Sequence, residues 1–175
     1  MLTIGQSFPE FKKTSVMAGK EFADVSSEEH KKNGKWMVMF WYPKDFTFVC
    51  PTEISEFNNH FDDFENNNAT LYGASTDSEF VHLAWRNDHK DLNDLKFPLI
   101  ADTSKSLAKD LGILEKKEKV AYRATFIVDP EGKIRWININ DLGTGRNVAE
   151  VVRALNALQT GALTPCNWEP GQDTL

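Results

Sequence analysis

The chain has 175 residues, 41% hydrophobic and 26% charged, with a formal net charge of −6 at pH 7. That length suits one α/β domain with a sizeable core and falls short of two ordinary ones. The negative balance argues against a nucleic-acid or anionic-membrane partner, because a polyanion is repelled, and the two cysteines, Cys50 and Cys166, form neither a disulfide scaffold nor a paired metal-ligand spacing.

The opening MLTIGQSFPEF carries no basic segment followed by a long apolar run, and no stretch has the apolar length of a membrane-spanning helix. The expectation is a soluble, unexported, cytoplasmic protein. Residues 3–33 are polar and broken by Gly5, Pro9 and Gly19, with Phe8, Phe11, Val16 and Phe22 as apolar anchors, and they read as short edge strands and turns. WMVMFWY, residues 36–42, is continuously apolar, as expected of a central strand buried on both faces. After Pro51, the residues Ile54, Phe57, Phe61 and Phe64 recur at helical spacing, which predicts a helix starting at Cys50 and running through all four.

ATLYGAST, residues 69–76, reads as a strand, and 78–89 as a helix capped by Asp77 or Ser78. Residues 97–100 form a short strand, 104–111 a helix closed by Gly112, and EKKEK at 115–119 a solvated loop. RATFIVD and KIRWINI, joined by Asp129, Pro130, Glu131 and Gly132, predict a β-hairpin. The last helix, 147–159, buries Val148, Val151, Val152, Leu155 and Leu158. The alternation implies an α/β fold, a mixed central sheet flanked by helices with an N-terminal strand and turn extension. Residues 1–160 form that domain, and residues 161–175, GALTPCNWEPGQDTL, form a tail carrying Cys166. His30, His60, His82 and His89 are scattered without a zinc-like spacing, so neither a metal nor a cofactor is assigned.

The stretch YPKDFTFVCPTE sets Cys50 directly before Pro51, with Thr47 three positions and Pro43 seven positions earlier. Proline is favoured at the first helical position, where its missing N–H costs nothing, so Pro51 is expected to place Cys50 at the helix N-cap. Unpaired N–H groups and the positive end of the macrodipole there favour a thiolate as nucleophile. A peroxide offers one oxygen to attack and one that leaves as an oxyanion. Thr47, the Cys50 N–H and an arginine can supply the proton partner and the positive charge, while Pro43 shapes the loop and keeps water away. A free cysteine taken alone is more often a small buried hydrophobe without chemistry. Its setting before a helix-initiating proline and beside Thr47 reverses that preference, whereas Cys166 is expected to be exposed.

PKDFTFVCPTE resembles the signature of typical two-cysteine peroxiredoxins, specifically the bacterial alkyl hydroperoxide reductase C group. The likeness continues through STDSEFVHLAWRN, RATFIVDPEGKI, GRNVAEVVRALNALQ and CNWEPG, nearly the whole chain. It implies a thioredoxin-like fold and a thiol-dependent peroxidase in which Cys50 is the peroxidatic cysteine. Carried over by motif, Arg123 is the arginine beside the thiolate, and Glu53 and Arg146 hold that arginine and the loop. Trp85, in HLAW, matches an aromatic residue packed near the loop, a position that ordinary helix packing explains equally well. Cys166 is implied as the resolving cysteine, which condenses with the sulfenic acid to a disulfide. Most relatives carry that cysteine two positions earlier, where this chain has Thr164.

The resemblance further implies a hydroperoxide substrate and an external dithiol reductase, thioredoxin-like or a dedicated flavoprotein. It also implies a homodimer paired through the strand at 133–139, with five dimers in a decamer. The GGLG loop and C-terminal Tyr-Phe helix of overoxidation-sensitive relatives are missing, DLNDLKFPLI standing at the loop, which implies a robust, rapidly resolving type. A thioredoxin-like disulfide oxidoreductase would need a second cysteine at position 53, which is Glu53. A peroxide sensor or redox relay, and a holdase chaperone, are alternatives on the same fold.

Overall fold

The computed structural model describes residues 1–175. The strand order is β2-β1-β5-β4-β3-β6-β7 in one seven-stranded sheet, made of β1 (Lys12–Val16), β2 (Phe22–Ser26), β3 (Trp36–Trp41), β4 (Ala69–Ser75), β5 (Leu99–Ala101), β6 (Arg123–Val128) and β7 (Ile134–Asn140). β4 runs parallel to β3 and β5, and every other pairing is antiparallel. The sheet is therefore mixed, as the alternation of elements requires.

β3 lies in the middle, and its continuous apolar run follows from that position. Val38, Phe40 and Tyr42 point into one core with Ile54, Phe57, Trp85 and Leu155. Met37, Met39 and Trp41 point into the other with Phe8, Phe126, Leu107 and Leu111. A strand with core on both faces needs apolar residues at every position. The helices supplying those faces are α2 (Cys50–Asn59), α3 (Phe61–Glu65), α4 (Glu79–Asp88), α5 (Ser106–Leu111) and α6 (Val148–Gln159). None is long and apolar enough to cross a membrane.

Two expectations are corrected. Residues 3–33 contain, besides β1 and β2, a helix α1 (Ser27–Asn33). Ser26 caps it by accepting from the Glu29 N–H at 3.2 Å, and Gly34 ends it at φ 68°. Its one buried residue is His30, so no apolar stripe betrays it. The helix after Cys50 breaks at His60 (φ −94°, ψ 7°), and α3 starts there on a new axis against β4. The His60 ring is fixed at the break by Glu56 at 3.1 Å and Asp63 at 2.8 Å. Smaller shifts put the strand expected at 97–100 at β5 and the helix expected at 104–111 at α5. The caps expected for α4 and the hairpin of β6 with β7 are found, with Ser78 accepting from the Val81 N–H.

The tail has no helix after α6, yet it is fastened. Trp168 is buried, its indole N–H donates to the Gln172 carbonyl at 3.1 Å, and Arg153 of α6 donates to the Trp168 carbonyl at 3.1 Å.

Gly73 sits where β4 crosses the crowded core. A Cβ there would lie 2.8 Å from Leu99 Cδ2 and 2.9 Å from Phe40 Cζ. Gly73→Ala is expected to cost about 1–3 kcal/mol through overpacking, read as a lowered urea midpoint with an unchanged slope.

Candidate active site

Cys50 is fully buried as the first residue of α2, and the N-cap is Val49. This corrects the expected register by one residue: Val49 already has helical dihedrals (φ −79°, ψ −40°), and the Thr52 N–H donates to its carbonyl at 3.1 Å. Pro51 thus stands second, and Cys50 still lies in the first turn, where its own N–H has no acceptor within the helix.

The first residue of β6 reaches the sulfur. Arg123 Nη1 donates to Cys50 Sγ at 3.3 Å and to Glu53 Oε1 at 2.6 Å, and Nε donates to the Leu142 carbonyl at 2.7 Å. Glu53, one turn along α2 from Cys50, receives a second guanidinium: Arg146 Nε donates to Oε2 at 2.6 Å and Nη2 to Oε1 at 3.1 Å, and the Arg146 backbone N–H adds a bond of 2.9 Å. The side chains of Arg123, Glu53 and Arg146 are all nearly inaccessible to solvent. Arg146 also donates to the Ala124 carbonyl at 2.8 Å and lies over the rings of Phe40 and Phe57, which stack on each other at 3.9 Å. The far side of the arginine is therefore walled by the core.

Burial pushes the Glu53 carboxyl up, but the hydrogen bonds and charge of Arg146 and the charge of Arg123 outweigh it and hold the group below its ordinary value. Two cations share one buried anion, and the negative charge of a thiolate would complete their neutralisation.

The loop before Cys50 carries the other expected residues. Pro43 is buried, and Thr47 is half-buried, with its hydroxyl donating to the Lys44 carbonyl at 2.9 Å. Its lone pairs stay free to accept. Trp85 is buried between Tyr42 and Phe46, at ring distances of 5.9 and 6.0 Å, so it packs on both the strand and the loop. Cys166 is exposed and lies apart from this cluster, beside a groove of about 670 Å³ between α6 and the tail lined by Trp136, Arg153 and Leu158. Both cysteines are free thiols. Sequence reasoning missed Asp45 and His82, whose carboxylate and imidazole meet at 2.6 Å under the loop. Lying on separate elements, they form no spacing that could have revealed them.

A mixed sheet with helices on both faces and a cysteine opening a helix marks a thioredoxin-like thiol protein, and here a buried arginine lies against the sulfur. The AhpC/TSA family model matches residues 4–137, and the chain belongs to that family. Alkyl hydroperoxide reductase C of Mycolicibacterium smegmatis is 43% identical over 186 residues, covering 100% of this chain and 94% of that one. Peroxiredoxin-1 of Gallus gallus is 44% identical over 179 residues, covering 98% and 89%. The solved reduced 2-Cys peroxiredoxin of Plasmodium vivax superposes with a TM-score of 0.93 at 32% identity, covering 99% of this chain and 93% of that one. The protein is a thiol-dependent peroxidase.

Because the Glu53 value is depressed on folding, the stability it confers is present above about pH 4.3, the ordinary Glu value, and is lost as pH falls through the folded value. Glu53→Gln strands two buried guanidinia and is expected to cost about 3–5 kcal/mol at neutral pH. The deficit should shrink on acidification as the parent's own Glu53 protonates. Urea titrations of both proteins from neutral pH to about pH 3 check this, and a constant difference throughout would contradict it.

Proposed function

We propose that Cys50 is the peroxidatic cysteine of a two-cysteine cycle that reduces hydrogen peroxide and organic hydroperoxides. The observation that carries this reading is the 3.3 Å contact from Arg123 Nη1 to Cys50 Sγ. The Cys50 thiolate attacks one peroxide oxygen, the S–O bond forms as the O–O bond breaks, and the second oxygen leaves with a proton as water or alcohol. Arg123 Nη2, which makes no protein hydrogen bond, is free to donate to the departing oxygen. Thr47, its own proton engaged by Lys44, accepts from the peroxide hydroxyl. Pro43 shields the loop, Glu53 and Arg146 hold Arg123 against the sulfur, and Trp85 supports the loop through Phe46.

Cys50 is left as a sulfenic acid. The Cys166 thiolate then attacks its sulfur, a disulfide forms and water leaves. An external dithiol reductase, thioredoxin-like or a dedicated alkyl hydroperoxide reductase partner, returns both thiols by exchange. Cys50 opens a buried helix and Cys166 sits on the tail, so the first turn of α2 must unwind and the tail must loosen, Trp168 leaving its buried seat, before their Cα atoms reach disulfide range. The two thiols come from different subunits of a homodimer, since β7 offers an edge with no strand beside it. Five dimers close a decamer through the surface near the loop, where Phe46, Phe48 and Phe80 are exposed. The cytoplasm is its proposed location.

Cys50→Ser should abolish peroxide consumption even in a single turnover, while Cys166→Ser should keep the first turnover and stop the cycle. The oxidised parent should run as a disulfide-linked dimer on a non-reducing gel and collapse to monomer with dithiothreitol. Native-rate turnover by Cys50→Ser, or an oxidised form migrating only as monomer, would contradict these assignments. Thr47→Val should slow oxidation by roughly a hundredfold or more, the scale of losing an oxyanion donor, with melting temperature little changed, and a markedly destabilised Thr47→Val protein would make that role structural. Arg123→Met should slow oxidation at least as much, and its melting temperature should fall because Glu53 and the Leu142 carbonyl each lose a buried donor; a folded Arg123→Met protein oxidised at the parent rate would contradict its role.

A further inference from the structure

Besides Glu53, Arg123 is gripped by a turn that has no buried apolar anchor. Between the end of β7 and Arg146, residues 141–145 are exposed apart from the half-buried Leu142, and Gly143 and Gly145 bring no side chain. This turn nonetheless supplies two bonds to the site. The Leu142 carbonyl accepts from Arg123 Nε at 2.7 Å, and the Arg146 backbone N–H donates to Glu53 Oε2 at 2.9 Å. A segment so thinly packed is prone to open locally, so polar contacts must hold it in place.

Asn140, the last residue of β7, provides them. It stands opposite Arg123, the first residue of β6, in the antiparallel register, and directly opposed residues lie side by side on one face of a sheet. Its side-chain Nδ2 donates to the Gly145 carbonyl at 3.0 Å and to the Thr144 carbonyl at 3.3 Å. Both partners can only accept, so the amide must present its nitrogen to them. The turn's own bonds, from the Thr144 N–H to the Asp141 carbonyl at 3.0 Å and from the Leu142 N–H to Asp141 Oδ1 at 2.8 Å, close it locally without attaching it to the sheet.

One of those carbonyls belongs to the peptide that meets Glu53. The Gly145 carbonyl and the Arg146 N–H are opposite ends of a single planar unit, one held by Asn140 and the other by Glu53, so its orientation is fixed from both sides. Each bond also polarises the amide in favour of the other. We propose that Asn140 is a positioning residue for peroxide reduction, whose side-chain amide holds the turn at 141–146 so that the turn aims Arg123 at Cys50. Without that amide the Leu142 carbonyl drifts from Arg123 Nε, and Nη1 loses its fixed place 3.3 Å from the sulfur. Arg123 keeps its charge and its bond to Glu53, so what is lost is aim. Small misplacements of a group that must meet a reacting atom are costly in rate.

This inference rests on Cys50 as the attacking thiol, and the test separates the two. The second-order rate constant for oxidation by hydrogen peroxide is measured by stopped-flow fluorescence in the full-length parent, Asn140→Leu and Asn140→Asp, and again with Arg123→Met added to each. Leucine keeps the size without a donor, and an aspartate carboxylate keeps the shape but can only accept. Both variants are expected to react roughly five- to tenfold more slowly than the parent, the scale of one or two neutral hydrogen bonds. In the Arg123→Met background the same substitutions should change the rate less than about twofold, because an effect that runs through Arg123 disappears with it. A general loosening of the fold would slow both backgrounds alike. A parent-like rate in either single variant, or an undiminished effect beside Arg123→Met, would overturn the role of Asn140. Asn140 is half-buried at a strand end, so its replacement spares the core. Should Asn140→Leu still not fold, Asn140→Ser takes its place in the same cycle, since one short hydroxyl cannot span both carbonyls. Peroxide consumption by Cys50→Ser at the parent rate would instead defeat the assignment of Cys50 on which the inference stands.

Discussion

The structure depends on one carboxylate. Glu53 receives Arg123 on one oxygen and Arg146 on both, all three side chains being buried. Those bonds join the start of α2, the start of β6 and the turn into α6, so three segments far apart in sequence converge on the sulfur of Cys50. Charges buried this deeply are tolerated only with near-complete pairing. Here the pairing is complete except for the positive charge that faces Cys50 and any peroxide beside it. The positive field at Cys50 is thus a by-product of how the arginines are stabilised, and it is set before any substrate arrives.

The same economy explains the chain's division into rigid and releasable parts. The core around Phe40 and Phe57 fixes Arg146 from behind, and through Glu53 it fixes Arg123. The loop at 43–50 is held by polar contacts instead: Asp45 to His82 and Asp77, and Thr47 to Lys44. The tail is likewise held by one buried indole, which bonds within the tail to the Gln172 carbonyl, and by the Arg153 hydrogen bond from α6. Segments secured by few contacts open locally while the core stays folded. Such a distribution suits the proposed cycle, in which a buried thiol reacts in one conformation and is resolved in another.

Much of this was legible in the sequence, and the exceptions have physical causes. β3 declared itself because both faces need apolar residues, and α6 because its stripe of Val151, Leu155 and Leu158 repeats at helical spacing. α1 did not, since a helix burying only His30 leaves no stripe and shows itself solely through its Ser26 and Gly34 caps. The break at His60 was hidden because Phe61 and Phe64 continue the helical spacing across it. Within the site, Cys50, Thr47 and Pro43 share one local motif, and Arg123, Glu53 and Arg146 came through family resemblance. The pairing of Asp45 with His82 is a tertiary meeting of a loop and a helix, which neither composition nor spacing encodes.

The central claim is that Arg146, which does not bond to Cys50, sets the reactivity of that thiol by holding Glu53 and hence Arg123. Lysine keeps the charge at this position but cannot reproduce the paired hydrogen bonds of the planar guanidinium. The most direct measurement is the second-order rate constant for Cys50 oxidation by hydrogen peroxide in folded Arg146→Lys, followed by stopped-flow tryptophan fluorescence. The account predicts a fall of at least roughly tenfold, the scale of one lost charged hydrogen bond, while Cys50 and Arg123 remain present. A folded Arg146→Lys protein oxidised at the parent rate would contradict it.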